Sequence, residues 1–75
     1  MTIKACRFTN EPDSLFLVAQ GVPGRLGPIS DIVRSARGIS VDRLMASFEQ
    51  ALLRGCKTAQ EAEEVVRAEL RLELN

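Results

Sequence analysis

Seventy-five residues, 45% of them hydrophobic and 27% charged, describe one small folded domain with room for a single core. Ten Lys and Arg balance ten Asp and Glu, so the chain carries no strong basic field of the kind that captures nucleic acid non-specifically. The sequence has no histidine, which removes the commonest general base and the commonest metal ligand, and no nucleophile has a base beside it; no catalytic residue, metal or cofactor is expected.

From the N-terminus, Ile3 to Phe8 and Leu15 to Ala19 are short apolar runs separated by TNEPDS, a stretch rich in turn formers. This predicts a β-hairpin over residues 3–19 with a six-residue loop. The run LFLVA lacks polar alternation, so both faces of the second strand should be covered, with helices as the covering material. Cys6 and Cys56 lie far apart outside any C-x-x-C pair, and read as small buried hydrophobes in a reducing compartment. No apolar run reaches the length of a signal peptide or a membrane span, so the expected location is cytoplasmic with no membrane partner.

A turn loop, GVPGRLGPI, occupies residues 21–29. It lacks the lysine of a Walker-type loop, and its prolines interrupt the helices that flank an RNA-clamping G-x-x-G. Two readings remain, a plain strand-to-helix turn and, less favoured, a loop whose amides and Arg25 receive an anion.

Three helices should follow, over about residues 30–37, 40–54 and 58–70. Ser30 reads as the N-cap of the first and Gly38 as its left-handed terminator. Ser40 caps the second, in which Val41, Leu44, Met45, Phe48 and Leu52 form one amphipathic stripe that Gly55 stops. Thr58-Ala-Gln-Glu61 spells a capping box, with the glutamate reaching back to the amide of Thr58. Residues 69–74, ELRLEL, alternate leucine with charge and suit either a continued helix or a C-terminal strand. The predicted class is therefore α+β, a single small domain of hairpin plus three short helices.

Charge is uneven along this chain. Residues 1–57 hold eight Lys and Arg against five Asp and Glu, a net +3, and residues 58–75 hold two against five, a net −3. The segment DIVRSARGISVDRLMASFEQALL resembles the helix-turn-helix of DNA-binding proteins, although Arg34 stands where that pattern wants a small residue. It is also similar to the helical pair of ribbon-helix-helix repressors, from which the chain departs by interposing GVPGRLGP between strand and helix. Either resemblance implies DNA binding through residues 31–54, with Arg34, Arg37 and Arg43 on phosphates.

The favoured expectation is different. The last helix carries more apolar residues than one face can bury, among them Val66, Leu70, Leu72 and Leu74, and surplus apolar surface commonly marks a partner. The chain therefore reads as a small non-enzymatic regulatory protein that binds a partner protein, a transcription regulator being the kind in view, and the same surface would serve a homodimer. Direct nucleic-acid binding is the alternative.

Overall fold

The computed structural model describes residues 2–74, with side chains described through residue 71. Strands β1 (Ile3–Phe8) and β2 (Glu11–Ala19) form an antiparallel hairpin, and helices α1 (Ile29–Ser35), α2 (Val41–Leu53) and α3 (Ala59–Leu74) follow, which makes the fold α+β. None of these helices is long and apolar enough to cross a membrane.

The hairpin is tighter than its sequence implies. Only Thr9 and Asn10 turn the chain, because β2 begins at Glu11 and takes in Pro12, Asp13 and Ser14. Pairing runs from Ile3 with Ala19 to Cys6 with Phe16 and then slips, so that Phe8 faces Glu11. Five residues of β2 are thus spent against two of β1. Pro12 falls within that irregular stretch, where its missing N–H need not interrupt a regular ladder.

The two faces of β2 are covered by different material. Leu17 and Ala19 point into the helical core. Phe16, on the other face, is buried under side chains and loop rather than a helix: Phe8 meets it edge-on at 5.5 Å, and the Arg25 guanidinium lies 4.3 Å from its ring centre and 4.4 Å from that of Phe8. Arg25 also pairs with Glu11 at 3.2 Å. A cation held over two rings and beside a carboxylate already has its partners within the fold, which favours the plain-turn reading of the loop.

The glycine-rich loop is a staple. Leu26 forms an isolated bridge with Leu17, with N···O distances of 2.8 and 2.9 Å, and extends the far edge of β2 by one residue. The Pro23 carbonyl accepts the first amide of α3, from Ala59, at 2.9 Å, and the Gly27 amide donates to Glu63 Oε1 at 3.0 Å. A loop amide does meet an anion, and that anion is the chain's own carboxylate.

Helix ends follow local chemistry with three corrections. Ser40 caps α2, its Oγ accepting from the Arg43 amide, and Thr58 Oγ1 accepts from the Glu61 amide at the start of α3. Glu61 reaches back one residue further than the capping-box pattern implies, to the Lys57 amide. The N-cap of α1 is Pro28, without a side-chain bond, and Ser30 lies inside the helix. The strand alternative for residues 69–74 is also corrected: α3 runs on to Leu74, which keeps Leu70 on the buried stripe of Ala59, Ala62 and Val66.

Both α1 and α2 close with the same pair of bonds. In α2, Gly55 (φ +114°) donates to the Leu52 carbonyl and Cys56 to that of Ala51. In α1, Arg37 donates to Arg34 and Gly38 to Val33. The residue that must turn left-handed is therefore Gly55 in one case and Arg37 (φ +59°) in the other. Gly38 is left-handed too (φ +82°) but sits one place late. An L-residue there costs about 1–2 kcal/mol of backbone strain, partly offset by glycine's greater unfolded-state entropy. We expect Arg37→Gly to stabilise the fold by about 0.5–1 kcal/mol, a rise in Tm of roughly 2–8 °C in thermal denaturation.

Candidate functional site

The residues singled out in the sequence are scattered by the fold. Val66 is fully buried, which leaves it no surface to offer a partner. Leu70 is also core, and the side chains of Leu72 and Leu74 lie outside the described residues. Of the four apolar residues proposed as contacts, the two whose side chains are described are thus spent on the core. Arg34 is exposed in the last turn of α1, Arg43 is exposed in the first turn of α2, and Arg37 occupies the left-handed turn after α1. Cys6 and Cys56 are free and half-buried, not fully buried as the sequence implied.

The outer face of α2, which would enter the groove of DNA in a helix-turn-helix, is electrically mixed. Asp42 and Glu49 stand beside Arg43 and Arg54, and Arg54 is itself paired with Glu69 of α3. Of its predicted apolar stripe, Leu44, Phe48 and Leu52 are spent on the core and Met45 is half-buried against it, whereas Val41, expected in the same stripe, begins the helix exposed to solvent.

What the fold does gather is a groove where the end of α1 meets the second half of α3. Its volume is about 230 Å³; Ile32, Ala36 and Leu70 supply apolar lining, and Ser35, Arg37, Arg67 and Arg71 complete it. The three arginines come from both charge halves of the chain. Arg67 Nε donates to Glu63 Oε2 at 3.2 Å, one turn earlier, and Glu63 uses its other oxygen on the Gly27 amide. Arg37 and Arg71 make no ion pair among the described residues.

Sequence reasoning found Arg37 but missed Arg67 and Arg71. Their visible signal was an i, i+4 spacing on α3, which reads as an ordinary solvated face. A second hollow, of about 420 Å³, lies against the open ends of the hairpin and is lined by Thr2, Lys4, Val18, Ala19 and Gln20. It holds a single charged side chain, Lys4, and gathers no comparable cluster of arginines. No protein-family model, curated protein or solved structure matches this chain.

Proposed function

We propose that this chain is a small non-enzymatic binding protein that acts on a partner protein, with the groove between α1 and α3 as its contact surface. The reading is supported by the groove itself, which gathers Arg37, Arg67 and Arg71 beside Ile32, Ala36 and Leu70. At about 230 Å³ it is below the usual range for a drug-sized ligand or cofactor, roughly 300–1,000 Å³, and of a scale for one or two side chains of a partner. A regulatory role, with a transcription regulator as partner, is the biological setting in which such a module is expected.

Direct DNA binding through residues 31–54 is the second reading, and the mixed charge on α2 weighs against it. The two differ in salt response. A DNA complex resting on several phosphate contacts loses affinity steeply with salt, by roughly one unit of log-log slope per contact. Affinity capture from the native host, run beside a gel-shift assay at about 50 and 200 mM salt, separates them. We expect a captured protein and no duplex shift. A salt-sensitive shift of one specific duplex, lost in Arg34→Ala/Arg43→Ala, would overturn the proposal.

A further inference from the structure

The groove also carries information about the chemistry of what it holds. Three arginines line it, two of them without an ion pair among the described residues. Guanidinium groups prefer planar, two-oxygen partners, and carboxylates match their fork. Arg71 has a second explanation, because a cation in the last turns of a helix complements its dipole. Arg37 has none of equal weight. It occupies a left-handed position where α2, closing with the same bonds, uses Gly55. Strain retained at the lip of a groove is the mark of a side chain wanted there.

We propose, resting on the partner-protein reading above, that the groove receives an acidic segment of that partner, whose carboxylates Arg37, Arg67 and Arg71 bind. A nucleic-acid backbone fits less well. The acidic residues Glu61, Glu63 and Glu64 of the same helix repel any anion, and the penalty grows with charge density, so a segment with a few carboxylates suffers less than an unbroken run of phosphates. Glu63 holds Arg67 in place in the free protein, and an incoming carboxylate shares that arginine with it.

The test uses an end-blocked peptide with a central leucine flanked on each side by paired glutamates, and its analogues with glutamine or lysine in place of glutamate. The full chain is titrated with each while backbone and arginine Nε resonances are followed by NMR. The expected result is weak binding of the acidic peptide, with shifts concentrated at residues 35–37 and 67–71. The glutamine analogue, which forgoes all the charge-assisted contacts at once, should bind more than about tenfold more weakly, and the lysine analogue not at all. Arg37→Gly serves as a variant that cannot be dismissed as misfolded, since it should melt at a higher temperature while losing about tenfold in affinity. A purely structural arginine would move stability and binding together.

Equal binding of the glutamine analogue, shifts confined to another face, no shifts, or displacement of the peptide by a short duplex of higher affinity would each overturn the inference. The partner-protein reading stands or falls separately, on the capture experiment.

Discussion

Phe48→Ala is expected to lower the unfolding free energy by about 3–5 kcal/mol, the range for truncating a large aromatic in a core that cannot collapse onto the hole. A domain of this length has about 4–11 kcal/mol in total, so the variant stands near the edge of folding at 37 °C. Phe48 is fully buried in a core to which every helix and β2 contribute, through Leu17, Ile32, Leu44 and Val66, with Leu26 from the loop. Among the described residues there is no second hydrophobic cluster of this kind to hold the elements while this one relaxes. Phe8 provides the internal comparison. It is half-buried, outside the main core, and touches Phe16 and Arg25, so Phe8→Ala should cost distinctly less. Urea midpoints of the two variants decide the matter; an unchanged midpoint for Phe48→Ala would remove this residue from the core.

The difference between what was legible in the sequence and what was not follows the range of the interactions concerned. The stripe on α2, the caps Ser40 and Thr58, and the glycine at residue 55 are set by bonds spanning three to five residues, and their chemistry can be read directly. The start of β2 could not be read that way. Glu11 to Ser14 are turn formers by composition, and what draws them into the strand is a slipped pairing with β1 and the contact of Glu11 with Arg25, fourteen residues away. The end of α3 was ambiguous because alternating leucines serve a strand as well as a helix, and burial of Leu70 beside Val66 favours the helix.

The groove was half legible for the same reason. Arg37 was conspicuous beside Gly38, but on the expectation of a phosphate contact, whereas Arg67 looked like half of an i, i+4 pair with Glu63, which it also is. Their joint use depends on the end of α1 lying beside the last turns of α3, a juxtaposition that no local pattern encodes. Surplus leucine and valine on α3 pointed to an interaction surface; the fold buries Val66 and Leu70, the side chains of Leu72 and Leu74 lie outside the described residues, and Arg67 and Arg71 line the groove.

Gly27→Ala is expected to be the most damaging of the glycine-to-alanine changes, at roughly 2–6 kcal/mol, combining backbone strain with overpacking. Its φ of +141° lies where L-residues are rarely found, and an added Cβ would stand 2.9 Å from the Ile29 amide nitrogen and 2.9 Å from Phe16 Cδ1. Neither neighbour can retreat: one is backbone at the start of α1, the other a buried ring clamped by Phe8 and Arg25. The other loop glycines set the scale. Gly21 (φ +80°) faces open space, so Gly21→Ala pays strain alone, about 1–2 kcal/mol. At Gly24 (φ +88°) the new Cβ meets Gln60 Oε1 at 2.5 Å, the far end of a flexible side chain, so Gly24→Ala should fall between the two and return to the Gly21 level in combination with Gln60→Ala. Relief of the backbone clash at Gly27 would require moving the loop, and with it the Leu26–Leu17 bridge and the Gly27–Glu63 bond that anchor the hairpin to α3. Chemical denaturation of the three variants should therefore rank them Gly27, Gly24, Gly21 in order of decreasing loss. A Gly27→Ala midpoint no lower than that of Gly21→Ala would show the loop to be a loose connector, with the hairpin and α3 held together by the core alone.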